Sequence, residues 1–285
     1  MKESKLALGT VQFGLPYGIN NKNGIPSESE LKHIFKIAAQ TGINVLDTAS
    51  AYGNAEEKIG ELASNNFQII SKFNKVSNKI EFENNLNNTL RKLRSTSVYG
   101  YLAHVAENLI DYPDSWKLLL ESKEKGRIQK IGFSVYTTTE LEKLLSLQMF
   151  PDIVQVPYSL LDRKFEKLFL TLKKNKCEIH VRSIFLQGLY FLNPDKLPPK
   201  LYGFKKALLE IKSICNDNRV SISKLALNFA NSNPNIDKIV IGIDNVIQLV
   251  NNIESIETWE NNPEIIEKVN LIDIYNQELL NPSNW

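Results

Sequence analysis

The chain has 285 residues, 42% of them apolar and 23% charged, with a formal net charge of +2 at pH 7. That is an ordinary globular balance, and so small a charge gives no field to draw a polyanion, so neither nucleic acid nor a membrane is expected as a partner. Cys177 and Cys215 stand far apart with no CxxC spacing, which excludes a disulfide framework and fits a reducing compartment.

His33, His104 and His180 show no metal-ligand spacing, and no metal is expected. The charged start, Met1 to Lys5, reads as no secretory signal, and no apolar run is long enough to span a bilayer. A cytoplasmic protein follows as the expectation. The length suits one α/β barrel, for which about 250 residues is typical. A single domain over 1–285 is expected, with a tail over 258–285.

In chain order, Leu6 to Thr10 reads as a first short strand, and Gly14, Gly18 and Gly24 mark a long loop. Ser27 with Glu30 predicts a capping box on a helix whose buried face is Leu31, Ile34, Phe35 and Ala38. Val45 and Leu46 end a second strand at Asp47. Tyr52 sits on the loop beyond, and Asn54 with Glu57 predicts a cap on a helix through Leu62. The alternation continues with a strand over Phe67 to Lys72, a helix bearing Phe82, Leu86, Leu90 and Leu93, and a strand over Val98 to His104. A helix around Trp116 leads to a strand over Ile128 to Ser134, and Thr137 with Glu140 predicts a second capping box. Strands follow over Ile153 to Val156 and Cys177 to Ser183, with a helix between them. A Pro-containing excursion leads to helices near 204–214 and 222–231, then to a last strand over Ile239 to Gly242 and a helix capped by Asn245 with Gln248. The tail from about Trp259 to Trp285 reads as partly helical.

Short apolar strands alternating with helices roughly eight times predict a parallel sheet covered by helices. A closed (β/α)8 barrel is the economical form. An open doubly wound sheet is the alternative, but its GxGxxG turn is absent. In a barrel the C-terminal strand ends share one face, where barrel enzymes carry their chemistry. Those ends carry Asp47, Lys72, His104, Ser134, Gln155, Arg182 with Ser183, and the backbone at Gly242. A free tyrosine ionises near pH 10, and an ammonium beside it lowers that value. Lys72 is expected to be that ammonium for Tyr52, with Asp47 as its counter-charge. His104 can donate to a substrate oxygen. Such a set moves a proton to a carbonyl or from an alcohol, and the accompanying electron pair must come from a cofactor.

Asp47-Thr48-Ala49-x-x-Tyr52-Gly53, with Lys72 and His104 closing the next two strands, resembles the aldo-keto reductase superfamily. The opening Leu8-Gly9-Thr10, Gly132-Phe133-Ser134, Gln155 before Tyr158-Ser159, and Gly242-x-x-Asn245-x-x-Gln248-x-x-x-Asn252 extend the likeness over nearly the whole chain. The resemblance implies a (β/α)8 TIM barrel binding NAD(P)H, and an oxidoreductase acting on an aldehyde or ketone, or on the alcohol or lactol. It implies Tyr52 as general acid/base, Lys72 and Asp47 as its tuning pair, and His104 as substrate orienter. Ser134 and Gln155 would hold the nicotinamide carboxamide, and Arg182, Ser183, Phe185, Gln187 and Gly188 would run along the nicotinamide and pyrophosphate. Gly242, Asp244, Gln248 and Asn252 would meet the adenosine end, and Gly9 and Thr10 complete the cofactor set.

The chain also departs from the family. Arg182 stands where many relatives carry an aromatic ring, and either stacks in its place or pairs with a rim acid. NADP(H) is favoured as cofactor, with NAD(H) as the alternative because Asp244 stands where many NADP-dependent relatives carry a basic residue, and would repel a 2′-phosphate but accept from a free ribose 2′-hydroxyl. The usual N-terminal hairpin is missing. The opening segment and Arg182-Ser183-Ile184-Phe185-Leu186-Gln187-Gly188 resemble a bacterial subgroup associated with sugar and surface-polysaccharide metabolism. Two alternatives stay open: a catalytically weak nicotinamide-binding regulatory protein on the same barrel, and a Schiff-base enzyme using Lys72. The substrate, the oligomeric state and the roles of the first loop and the tail are not legible in the sequence.

Overall fold

The structure is a computed structural model describing residues 3–18, 21, 24–63, 67–260, 262–274, 277–281 and 285. Parts of the first loop and of the C-terminal tail therefore lie outside the described residues. Eight strands, β1 Leu6–Gly9, β2 Val45–Asp47, β3 Gln68–Phe73, β4 Val98–Ala103, β5 Ile128–Ser134, β6 Ile153–Pro157, β7 Glu178–Arg182 and β8 Lys238–Gly242, each run parallel to the next. β1 also pairs with β8, Leu6 opposite Ile239 through Gly9 opposite Gly242, so the sheet closes into a barrel.

Around it run α1 Val11–Gly14, α2 Glu28–Gln40, α3 Ala55–Leu62, α4 Lys79–Lys92, α5 Glu107–Ile110 and α6 Asp114–Glu124. They are followed by α7 Thr138–Ser146, α8 Glu166–Lys174, α9 Lys205–Asp217, α10 Ile222–Asn231, α11 Val246–Glu257 and α12 Pro263–Asn270. The excursion after β7 is wound into short 3-10 turns from Leu186 to Phe204.

Strand alternation sorts the side chains into two cores. Ala7, Val45, Ile70, Leu102, Ile153 and Val240 form a cluster of their own, filling the ring. Their neighbours of opposite parity, such as Leu8, Leu46, Tyr101, Val154, Ile239 and Ile241, join the larger cluster under the helices. Two positions on from the inner set, toward the strand ends, stand Gly9, Asp47, Lys72, His104, Gln155 and Gly242. The period of the strands alone therefore turns these six strand-end residues, four of them polar, toward the barrel mouth.

Two helix starts differ from expectation. Ser27 caps α2 by accepting from Glu30 N, but the Glu30 carboxylate does not fold back to complete a box. It accepts instead from Val246 N at 2.6 Å, tying the start of α2 to the start of α11. Asn54 stands at the head of α3 without a side-chain cap bond, its backbone at φ −99°, ψ 18° and so turned away from the extended form that caps require. Thr137 and Glu140 do form the full box. The short helices α1 and α5 were not anticipated, since one turn offers no periodicity to read.

At the N-terminal end of the barrel β1 is the first element among the described residues, with no hairpin before it. Side chains close this end. Glu178 pairs with Lys130, accepts from Tyr99 Oη at 2.9 Å and faces His180 Nε2 at 3.3 Å. Lys238 Nζ donates to Glu3 Oε1 at 2.7 Å and to Ser4 O and Asn44 Oδ1 at 2.9 Å.

Candidate active site

Asp47 is the hub of the barrel mouth. Lys72 Nζ donates to its Oδ1 at 2.8 Å and its Oδ2 at 2.7 Å, and to Thr48 O at 2.9 Å. Gln155 Nε2 donates to the same carboxylate at 2.8 Å. Both charges are buried, Lys72 at 1% exposure and Asp47 at 3%, and a pair so placed persists because each charge is met by the other and by further donors and acceptors.

The Tyr52 loop is pinned to this pair. Ser50 N and Ser50 Oγ donate to Lys72 O at 3.0 and 3.1 Å, and Tyr52 N donates to Ala49 O. Gly53 follows at φ +58°, a conformation an L side chain resists, and a Cβ there would lie 2.5 Å from Gly14 O. The end of α1 thus presses directly on the turn that presents Tyr52. The Tyr52 and His104 rings meet edge to face with centroids 5.6 Å apart, and Lys72 Nζ lies 5.3 Å from the centroid of the Tyr52 ring. Neither the phenol nor the imidazole makes a hydrogen bond among the described residues.

The electrostatics correct one expectation. Burial, and then the charge of Asp47, push the Tyr52 phenol above its ordinary value rather than below it. The cation expected to lower it is held against Asp47 at 2.7 Å, which largely cancels its field. Burial lowers Lys72, opposed by Asp47. Burial and then Lys72 hold His104 down at about 4, so its imidazole is neutral at neutral pH.

Over these groups opens a cavity of about 770 Å³. Every residue expected in the site lines it except Lys72, which lies behind Asp47. At one end, Gly9 and Thr10 stand beside Asp47, and Thr10 Oγ1 donates to Asp47 O at 3.0 Å. At another, Asp244 and Gln248 bond each other, Asp244 N to Gln248 Oε1 at 2.8 Å and Gln248 Nε2 to Asp244 Oδ2 at 3.2 Å, while Gly242 and Asn252 line the wall. Phe185 lines the segment after β7, where Ser183, Leu186, Gln187 and Gly188 take φ values of +64°, +44°, +53° and +95°. Backbone held so far from ordinary strand or helix is strained, and a run of this kind can turn N–H groups toward an anion.

Arg182 neither pairs with a rim acid nor lies bare. Its Cζ stacks over the Tyr136 ring at 4.1 Å, and its N–H groups reach Ser134 Oγ, Ser183 Oγ and Val135 O, all at 3.4 Å. Tyr136 was missed, although it stands only two residues past Ser134 and so on the same rim. Gln12, Tyr17, Phe191, Ser223 and Asn251 also line the cavity unanticipated. They come from the loops and helices over the barrel, where no strand period marks direction. Trp259 and Trp285 do not line it; Trp285 packs edge to face on Phe204 and donates to Leu279 O at 2.7 Å.

The residues present fit a nicotinamide dinucleotide. The cavity volume falls in the range of cofactor pockets, about 300–1,000 Å³. Ser183, Gln187 and Gly188 of the left-handed backbone run, Asp244 and Gln248 near the α11 start, and Tyr52 and His104 all line this one cavity. Among the described residues, no group of three His, Cys, Asp or Glu side chains could hold a metal, and no helix is long and apolar enough to cross a membrane.

Comparison with known proteins agrees with this arrangement. The sequence profile described as the Aldo/keto reductase family matches residues 5–274. An uncharacterized oxidoreductase of Schizosaccharomyces pombe is 31% identical over 134 residues, 43% of this chain and 49% of that protein. Aldo-keto reductase YhdN of Bacillus subtilis is 24% identical over 208 residues, 66% of this chain and 60% of that protein. The chain thus matches 49% and 60% of the length of these two relatives. In fold it is similar to the holo form of an aldo-keto reductase from Bacillus halodurans, with TM-score 0.77 and 21% identity over 95% of this chain and 92% of that one. A glycerol dehydrogenase from Gluconobacter oxydans gives 0.75 and 18% over 95% and 91%.

Proposed function

This chain belongs to the aldo/keto reductase family, and from that membership we propose that it moves hydride between NAD(P)H and an aldehyde or ketone, or the corresponding alcohol or lactol, a sugar among the candidates. The observation that carries the reading is the unengaged phenol of Tyr52 beside the neutral imidazole of His104, both facing one cavity above the Lys72–Asp47 pair. The cofactor supplies the hydride when bound. Tyr52, kept protonated at neutral pH, gives its proton to the carbonyl oxygen in the reducing direction. His104 donates a ring N–H to the same oxygen and orients it. Lys72 and Asp47 are positioning residues: paired at 2.7 Å, they fix the floor beneath the Tyr52 ring.

Ser134, Gln155, Arg182, Ser183 and Phe185 hold the nicotinamide end in this proposal. Gln155 reaches it from a side chain already anchored on Asp47, so its amide oxygen is the group presented. Gln187 and Gly188 follow the pyrophosphate, and Gly242, Asp244, Gln248 and Asn252 meet the adenosine end, with Gly9 and Thr10 beneath. NADP(H) is the family's general cofactor. The acid at Asp244, with no lysine or arginine beside it among the described lining residues, favours NAD(H) as the competing choice. We read the chain as one domain in the cytoplasm.

The test is a fluorescence titration of the protein with NADPH and NADH, followed by a panel of aldehydes and sugars with nicotinamide absorbance as readout. Turnover that Tyr52→Phe removes while cofactor affinity stays supports the proposal. Tight binding without consumption of any substrate would point to a regulatory nicotinamide-binding protein instead.

A further inference from the structure

Charge accounting inside the cavity leaves two groups over, Arg182 and, at the start of α11, Asp244, which bonds only Gln248. Arg182 is the only lysine or arginine among the described lining residues, and it has no ion pair among the described residues. The nearby acids are engaged elsewhere: Asp47 with Lys72 at 2.7 Å, and Asp162 with Lys164 at 2.6 Å. His104 is neutral and contributes no charge of its own. Around Tyr52 the mouth therefore holds a closed neutral pair, a neutral imidazole and one guanidinium without an ion pair among the described residues.

That guanidinium is also held in place. Tyr136 covers one face at 4.1 Å. A guanidinium has five N–H donors, and the contacts it makes here, to Ser134 Oγ, Ser183 Oγ and Val135 O, are all at 3.4 Å and all to uncharged acceptors. Those are long for charge-assisted bonds, which run about 2.7–2.9 Å. A flat cation, fixed in plane by an aromatic ring and short of strong acceptors, is preorganised for a carboxylate, whose two oxygens match its fork. Tyr17 stands on the same cavity wall, and its hydroxyl already accepts from Gln187 Nε2 at 2.8 Å, which leaves its proton to donate.

We propose that the substrate carries a carboxylate besides its carbonyl, an oxo acid or acidic sugar, and that Arg182, backed by Tyr136, binds that carboxylate beside Tyr52. This rests on the carbonyl-oxidoreductase reading above. It adds the class of molecule on which that chemistry acts.

Calorimetry on the cofactor-saturated protein, with succinate and its neutral diamide succinamide as unreactive probes, is the test. Succinate should bind about 10–100-fold more tightly, the value of a charged hydrogen-bonded contact. Arg182→Met should bring the two probes level, and Arg182→Lys should keep part of the difference, since the charge remains while the fork is lost. In turnover, the ratio of kcat/KM for succinate semialdehyde over butanal should be of the same order and fall toward one in Arg182→Met; a ratio cancels any general loss of activity. Nicotinamide fluorescence on the same variants reads cofactor affinity separately. Equal binding of the two probes to the unmodified protein overturns the proposal. So does a variant that loses cofactor affinity while keeping the preference, which would give Arg182 to the cofactor alone. If no nicotinamide binds at all, the proposed function fails, while succinate against succinamide on the bare protein still decides whether an anion site exists.

Discussion

At the N-terminal end of the barrel, Glu178 takes up Lys130, Tyr99 and His180 together, and Lys238 is held by Glu3, Ser4 and Asn44. At the C-terminal end, Asp47 and Lys72 are matched just as fully. Beside them, however, the Tyr52 hydroxyl and the His104 ring nitrogens make no hydrogen bond among the described residues, Arg182 has only long hydrogen bonds, and the chain after β7 is strained. The same alternating strands build both ends. One end pairs its charged groups within the chain and contributes to stability. The other withholds partners from the groups meant for something outside the chain.

The sharpest way to break this contrast is Tyr52→Phe. A hydroxyl that bonds nothing in the protein should add little to stability, yet turnover should fall about 10²–10⁴-fold, the range for a lost general acid. Steady-state kinetics beside a thermal melt check both halves. Lys72→Met comes next. It leaves the Asp47 carboxylate buried without its cation, and a urea titration should show a loss of about 3–5 kcal/mol. Because Lys72 acts through Tyr52, the pH–rate profile should shift as well, which a purely structural role would not cause.

Glu178→Gln is the counterpart at the far end. It should lower stability by about 1–3 kcal/mol through weakened charged hydrogen bonds, and leave kcat/KM unchanged. A midpoint unaltered in urea would remove the stabilising role given to that end.

The smallest effect separates the two ends by pH. Burial raises Glu178, but hydrogen bonds from His180, Lys130 and Tyr99 outweigh it and hold the carboxyl at about 2, against 4.5 for a free glutamate. Its stabilisation is complete above pH 4.5 and is lost as pH falls toward 2. His104 titrates at about 4 when folded, against 6.5 when free. The unfolded chain binds a proton that the folded one refuses, so this contribution is complete above pH 6.5 and lost as pH falls toward 4. Urea midpoints across pH should therefore decline in two overlapping windows. His104→Gln should flatten the upper one and Glu178→Gln the lower one.

The strand ends were legible because a buried parallel strand has little reason to finish in Asp47, Lys72, His104 or Gln155 unless something uses them. The ring itself was legible from eight alternations. Illegible were the bonds that join distant segments. Glu30 looked like half of a local box and instead serves Val246, 216 positions on. Gln155 was expected to serve the nicotinamide, and its tie to Asp47 across 108 positions was not foreseen. Sequence spacing reports neighbours along the chain, so a polar side chain with a local partner available is read as taking it. The direction of the Tyr52 shift was missed for a related reason: proximity to Lys72 could be inferred, but not that Asp47 would already occupy that cation.

The seam between β1 and β8 sets an order on the molecule's assembly. Lys5 Nζ anchors on Asn231 O, 226 positions further along, and the neighbouring backbone of β1 waits for β8 to supply its second partner. A nascent chain leaving the ribosome therefore carries β1 paired with β2 alone, its other edge open, until β8 has been made. Joins between such distant segments close late and slowly, and an unpaired edge invites aggregation meanwhile. That open edge of β1 is in need of shelter while the chain is being synthesised.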